Sequence, residues 1–314
     1  MTTVLNNPLR PALLAAARSS KLQAGLTRIR ATRSLVDRFV AGESEPAAVA
    51  AVDTLLSSGR FVSVDYLGED TTDRSQAAAT VDSYLSLIQR FSTRKTSGRA
   101  LEVSLKLSAL GQGIDRSLAL ENARTICTAA EAAGVWVTVD AEDHTTTDST
   151  LSIVRELRAD FPDLGTVLQA YLRRTEADCV ALSGPRSRIR LCKGAYNEPS
   201  SVAFQSAREV SDSYLRCLQV LMEGSGYPMV ASHDPDMIEA AERLATSTGR
   251  SSDEFEFQML YGIRDPEQRR LVDADRHVRV YVPYGEQWYG YFMRRLAERP
   301  ANLMFFARSL ISRR

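Results

Sequence analysis

From Arg60 onward, short runs rich in Val, Ile, Leu, Phe or Tyr alternate with longer stretches whose apolar residues recur every third or fourth position, and the alternation counts to eight. The short runs are Phe61–Val64, Leu101–Leu107, Val135–Val139, Thr166–Tyr171, Ile189–Cys192, Met229–Ser232, Glu254–Met259 and Val278–Val282. Between them, patterns such as Val81, Tyr84, Leu85, Ile88 or Ile126, Ala129, Ala130, Ala133 predict helices, and Gly134 and Gly249 stand where a left-handed cap would end two of them. Strands separated by crossovers of helix length cannot form hairpins, so the sheet must be parallel, with helices covering it. Consecutive βα units over about 240 residues fit a closed (βα)8 barrel of the TIM type better than an open doubly wound sheet. No G-x-G-x-x-G follows an early strand, so the usual dinucleotide fold has no anchor. Residues 60–314 thus read as the barrel and residues 1–59 as a helical extension, with Gly42-Glu43-Ser44-Glu45-Pro46 linking two of its helices.

The 314 residues are 44% hydrophobic and 25% charged, enough apolar material for a sizeable core, and no run of 18 apolar residues occurs that would predict a transmembrane helix. The 39 basic and 39 acidic residues cancel, so no net field draws the chain to nucleic acid. Cys127, Cys179, Cys192 and Cys217 are widely spaced without a C-x-x-C pair, which predicts free buried thiols in a reducing, cytoplasmic setting. Arg10, Arg18, Lys21, Arg28, Arg30 and Arg33 all precede the first acidic residue, Asp37. Such a start fits a transit peptide, a membrane-surface helix or the solvated face of N-terminal helices. Leu13, Leu14, Leu22, Leu26, Ile29, Leu35, Val36 and Phe39 favour the last. Arg10 and Pro11 interrupt the early apolar run, so no signal peptide is expected.

In a barrel of this kind, residues at the C-terminal strand ends share one mouth, where chemistry is done. Here those ends carry Asp65 and Glu69, Lys106 and Ser108, Asp140 and Glu142, Gln169, Arg190 and Lys193, Ser232 with His233 and Asp234, Gln258, and Tyr281. Lysine is rare, 4 residues against 35 arginines, so Lys106 and Lys193 at strand ends are not background usage. A compact, partly buried ammonium suits an anionic group of a substrate or cofactor. The plainer reading of Lys106 is an ion pair with a neighbouring-strand carboxylate such as Asp140. Arg294 and Arg295 follow Trp288-Tyr-Gly-Tyr-Phe-Met in the last helical run. Adjacent helical residues diverge by about 100°, so spacing alone reads as a solvated pair. The neighbouring Tyr284, Trp288, Tyr289 and Tyr291 weigh against that reading, since they would give a lid an apolar underside, and two guanidinium forks make a strong carboxylate clamp.

The sequence has no G-x-S-x-G elbow, H-E-x-x-H or P-loop, and only His144, His233 and His277 as histidines. On residues alone, a metal-dependent barrel hydrolase or isomerase using Asp140, Glu142, His144, His233 and Asp234 remains the alternative.

The strand-end motifs, taken in order, decide further. They are Val103-Ser-Leu-Lys-Leu-Ser-Ala-Leu110, Val139-Asp-Ala-Glu-Asp143, Leu168-Gln-Ala-Tyr-Leu172, Arg190-Leu-Cys-Lys-Gly-Ala-Tyr196, Ala231-Ser-His233, Phe255-Glu-Phe-Gln-Met-Leu260, Val280-Tyr-Val-Pro-Tyr-Gly285 and Tyr291-Phe-Met-Arg-Arg-Leu-Ala-Glu298. This series resembles the proline dehydrogenase family, which also forms one domain of bifunctional proline utilisation proteins. Two departures are Ser232, where threonine is commoner, and Cys192, in place of an aliphatic residue.

The resemblance implies a distorted barrel that binds FAD non-covalently and oxidises L-proline to Δ1-pyrroline-5-carboxylate. Hydride passes to flavin N5 and the electrons go on to a quinone, as the first step of proline catabolism. It implies that Lys106, Arg294 and Arg295 bind the substrate carboxylate, with Tyr281, Leu260, Tyr196 and Tyr291 lining the substrate, and that tyrosine at 281 selects proline over hydroxyproline. Asp140 and Arg190 stand beside the reacting atoms. Cofactor contacts fall to Ala141, Gln169, Arg190, Cys192, Lys193, Gly194, Ala195, Ser232, His233, Glu298 and Phe305, and no metal is implied. Glu69 corresponds to the partner of Arg294 in a gate over the substrate. A quinone acceptor brings the further expectation of peripheral contact with the inner face of the membrane, and a chain of 314 residues that of a monofunctional enzyme.

Overall fold

The computed structural model describes residues 36–94 and 99–298. Helix α1 (Glu45–Ser57) precedes β1 (Phe61–Tyr66), after which strands and helices alternate: α2 (Arg74–Ser92), β2 (Leu101–Leu105), α3 (Arg116–Ala132), β3 (Trp136–Val139), α4 (Thr147–Leu157), β4 (Gly165–Gln169) and α5 (Thr175–Leu182). They continue as β5 (Arg188–Cys192), α6 (Ala207–Glu223), β6 (Tyr227–Ala231), α7 (Pro235–Thr248), β7 (Glu256–Leu260), α8 (Asp265–Asp273), β8 (Val278–Tyr284) and α9 (Trp288–Glu298). Each strand pairs in parallel with the next, and β8 returns to β1 to close the barrel as the alternation requires. The helices expected before Val36 lie outside the described residues.

Local chemistry sets the helix ends. Asp73, Asp115 and Asp234 each accept a backbone N–H at an N-cap, and Ser206 with Glu209 forms a capping box. Gly134 and Gly249 adopt the left-handed conformation expected of them. Several boundaries differ from the sequence reading. β2 stops at Leu105, leaving Lys106 just beyond the strand, while β1 and β8 run on together to the Tyr66–Tyr284 pair. Glu45 and Pro46 belong to the first turn of α1 rather than to a link, because proline's fixed φ and missing N–H suit that position.

The helices cover the barrel with one distortion. Ala48, Val52 and Leu55 of α1 are buried in the same core as Val62, Val64, Val280 and Val282, at the seam between β1 and β8. The last helix, α9, instead packs Trp288, Tyr291, Phe292, Met293 and Leu296 with Val36, Phe39, Val40 and Leu67, and against Tyr281 and Ile263. Those contacts put α9 over the C-terminal mouth. The N-terminal segment thus supplies the helix that the ring would otherwise lack.

Strand alternation sorts the side chains. Val62 and Val64, Val103 and Leu105, Ile189 and Leu191, Phe257 and Met259 turn outward into the helix layer. Their neighbours Ser63, Asp65, Glu102, Ser104, Arg188, Arg190, Glu256, Gln258 and Arg279 turn inward and are buried. Barrels of this class usually fill that space with bulky apolar residues; here it holds a column of ion pairs. Arg188, Arg190, Arg279 and Lys106 face Glu102, Asp140, Glu256 and Asp65, so charge balances one for one among these residues. Removing one member of such a pair leaves a buried charge uncompensated, at a cost of about 3–5 kcal/mol.

Candidate active site

At the top of the column, Lys106 Nζ lies 2.5 Å from Asp65 Oδ2, 3.7 Å from Asp140 Oδ2 and 3.3 Å from the Tyr281 hydroxyl. The nearest carboxylate is therefore Asp65 of β1, and Asp140, the partner suggested by sequence, is second. Burial works against the ammonium charge, yet Asp65, Asp140 and Glu69 outweigh it and hold the Lys106 pKa above its ordinary value. Asp140 is fixed from several sides. Its Oδ2 accepts the Tyr281 O–H at 2.7 Å, and its Oδ1 accepts Ser104 Oγ–H at 2.8 Å and Arg190 Nη1–H at 2.7 Å.

A loop from β1 and the helix α9 bring the cationic lid together. Glu69 receives both terminal nitrogens of Arg294, one at 2.9 Å. Burial alone would raise the Glu69 pKa, but Arg294, Lys106 and Arg295 together hold its carboxyl below the usual range. Of the three, Arg294 makes the ion pair with Glu69, and Lys106 and Arg295 act on it through their charge. Arg294 stacks over Tyr196 at 5.6 Å and Arg295 over Tyr291 at 4.9 Å, and neither is the solvated arginine that spacing alone suggested, since Arg295 is only 8% exposed. The seam pairing of β1 with β8 is what lets the Glu69 loop meet the helix that follows β8.

A second set of residues lines the mouth beyond β3 to β7. Gln169 Nε2 donates to the Glu142 main-chain carbonyl at 2.8 Å, and the Gln169 main-chain carbonyl accepts the Thr175 hydroxyl at 2.6 Å. Ala141 and the run Cys192–Tyr196 are partly exposed there. Lys193 Nζ reaches Asp234 at 2.7 Å and Ser211 at 2.9 Å. Gly194 has φ +111°, and a Cβ on it would fall 2.3 Å from the Tyr171 ring, so glycine is required for this close turn. Ser232 Oγ accepts the Asp234 N–H. His233 Nε2 accepts the Leu260 N–H at 2.9 Å, which puts the ring proton on Nδ1 and ties Leu260 to the β6 loop. Cys192 is a free thiol whose pKa burial pushes up to about 12. The Glu298 side chain and Phe305 lie outside the described residues.

The alternative metal set does not assemble. Asp140 is bound to Arg190 and Tyr281, Glu142 to Ser108, His144 to Glu198 and Asp234 to Lys193, and no three such ligands converge among the described residues.

Known proteins resemble this sequence and share this barrel. The family model described as "Proline dehydrogenase" matches residues 48–308. The chain belongs to the proline dehydrogenase family. It is 40% identical over 283 residues to the proline dehydrogenase of Deinococcus radiodurans, covering 88% of this chain and 90% of that one. It is 38% identical over 282 residues to proline dehydrogenase 1 of Bacillus subtilis, covering 90% and 92%. Among solved structures, proline utilization A from Bdellovibrio bacteriovorus superposes with a TM-score of 0.78 at 24% identity, over 94% of this chain and 36% of that one. This likeness shows the shared barrel, and the chain spans about a third of that protein's length. The chain is accordingly an oxidoreductase, a proline dehydrogenase by family.

Within this family frame, the residues that sequence reading passes over are Glu102, Ser63 and Ser104, which hold Arg190 from below, while Asp65 and Gln258 are noted only as strand ends. Their signal is polar residues at every second position through the middle of a strand, as in Glu102-x-Ser104-x-Lys106 and Arg188-x-Arg190.

Proposed function

We propose that the protein oxidises L-proline to Δ1-pyrroline-5-carboxylate with non-covalently bound FAD and passes the electrons to a quinone, beginning proline breakdown. The observation that carries this reading is the ion pair of Arg294 with Glu69 at the mouth, with buried Arg295 beside it on α9 and Lys106 against Tyr281, a set of cations suited to a small carboxylate. In it, the proline carboxylate sits between these cations, Tyr281 and Leu260 bound the pyrrolidine ring, and Tyr196 and Tyr291 back the two arginines. Fixing the carboxylate fixes the ring carbon beside nitrogen, from which hydride leaves. Glu69 and Arg294 act as a gate that covers the substrate and excludes water.

The residues present fit FAD. Gly194 lets the turn after β5 pass close against the Tyr171 ring, and Gln169, Arg190, Lys193, Ala195, Ser232 and His233 supply polar groups around the same side of the mouth, next to Ala141 and Cys192. Bound FAD would supply the two-electron hydride acceptor. Arg190 and Asp140 would hold the charge and orientation at the reacting atoms. A quinone acceptor would bring the protein to the inner face of the membrane as a peripheral, cytoplasmic enzyme, and no helix among the described residues is long and apolar enough to cross it. The test is a visible spectrum of the purified protein before and after anaerobic addition of proline. Bleaching of a flavin band is the expected result; a colourless protein, or a band indifferent to proline, overturns the reading.

A further inference from the structure

We propose that Glu102 is a positioning residue for Arg190: from the layer below the mouth it holds the guanidinium in place, and its charge limits the positive field that Arg190 presents to the cofactor. The inference rests on the FAD reading above. An arginine has five N–H donors, and those of Arg190 meet five protein acceptors. Nε donates to Gln258 Oε1 at 2.5 Å, Nη1 to Ser104 Oγ at 2.8 Å and Asp140 Oδ1 at 2.7 Å, and Nη2 to Ser63 Oγ at 3.1 Å and Glu102 Oε1 at 2.7 Å. A guanidinium so fully engaged acts on a neighbouring ring as a fixed charge more than as a free donor.

The two carboxylates on it differ in situation. Asp140 lies at the mouth and is shared with Tyr281, Ser104 and, at 3.7 Å, Lys106. Glu102 is sealed in the barrel, fully buried, with one oxygen on Arg190 and the other on Arg188. Burial opposes its charge, but Arg279, Arg188 and Arg190 hold its carboxyl far below the usual range, so it stays ionised. By giving each arginine its own oxygen, Glu102 fixes the guanidinium groups of residues 188 and 190, which share the inward face of β5. It reaches the chemistry only through Arg190, because Ser63 lies level with it in the barrel and Ser104 and the Asp140 layer lie between it and the mouth.

Two variants separate charge from reach. Glu102→Gln keeps an acceptor oxygen and removes the charge. With flavin content intact, its two-electron midpoint potential should rise, favouring reduction about tenfold, ~30 mV for such a couple. The KM for proline should change little, because the Lys106, Arg294 and Arg295 clamp is untouched. An unchanged potential would assign Glu102 to barrel stability alone and overturn the proposal. Glu102→Asp keeps the charge but withdraws the carboxylate by one methylene from Arg190. It should leave the potential near that of the wild type and lower kcat about tenfold at constant KM, and an unchanged kcat would equally overturn the positioning role. The aspartate variant carries the test if the glutamine variant does not fold. Wild-type protein bleached by proline establishes the underlying function independently, so failure in the variants refutes the role of Glu102 and not the activity.

Discussion

Replacing Glu142 with glutamine should make the stability of this fold less dependent on pH. The Glu142 carboxyl is 7% exposed and accepts the N–H of Ser108 at 3.1 Å together with the Ser108 hydroxyl. Burial pushes its pKa from the ordinary 4.5 up to about 7, helped by the nearby Glu69 and opposed by the Ser108 bonds and by Lys106. Because the native state binds this proton more tightly than the unfolded chain, the contribution is favourable below about pH 4.5 and is lost as pH rises towards 7, above which the full cost of a buried carboxylate stands. At about 1.4 kcal/mol per pH unit, the rise from 4.5 to about 7 corresponds to about 3 kcal/mol. Glutamine keeps the shape and an acceptor without titrating. Denaturant unfolding of both proteins near pH 5 and pH 8 should therefore show the variant gaining on the wild type by about 2–3 kcal/mol at the higher pH. An equal difference at the two pH values would refute the reasoning, because it would mean that Glu142 titrates alike in the folded and unfolded chains. The same carboxyl bears on function. Ser108 Oγ accepts the Asp70 N–H at 3.2 Å and Ser108 O the Thr71 N–H at 3.2 Å, which secures the loop carrying Glu69.

Arg295→Met should raise the KM for proline far more than it lowers flavin content, since a clamped carboxylate loses a charge-assisted partner worth about 2–5 kcal/mol; steady-state kinetics beside the flavin-to-protein absorbance ratio decide it, and an unchanged KM in flavin-replete protein counts against the clamp. Glu69→Ala and Arg294→Ala should show non-additive losses of proline turnover when combined, whereas small additive losses would reduce their contact to a structural pair. Gly194→Ala should purify with little flavin, because the new methyl meets the Tyr171 ring and φ +111° strains any side chain; full flavin content would show that the turn yields. Tyr281→Ser should lose proline oxidation and relax discrimination against trans-4-hydroxy-L-proline, as it removes both the ring wall and the hydroxyl held by Asp140; wild-type preference for hydroxyproline would contradict the steric argument.

Much of the site was legible because its residues sit at strand ends, and a strand end is a local pattern. Lys106, Asp140, Gln169, Arg190, Ser232 and Tyr281 could be ordered around a mouth from the alternation alone, once the barrel was closed. The cationic lid was less legible. Spacing alone read Arg294 and Arg295 as a solvated pair, and only the position of α9, out of the helical ring with its apolar face on Leu67 and Tyr281, shows what buries them. That displacement depends on α1 occupying the seam of β1 and β8, a contact between segments more than two hundred residues apart along the chain.

The chain's own pattern determined the eight strands, their parallel direction, the helix caps and the mouth that would carry chemistry, because each follows from neighbours a few residues away: apolar spacing, a capping aspartate, a glycine where φ turns positive. Only the tertiary structure decided which charges meet. Lys106 pairs first with Asp65 rather than Asp140, Glu102 lies between Arg188 and Arg190, and Arg279 closes on Glu256. Inward and outward faces alternate identically in an open or a closed sheet. Closure brings distant strands across a common axis, and only there do the low dielectric and the lack of water force each buried cation to find a carboxylate.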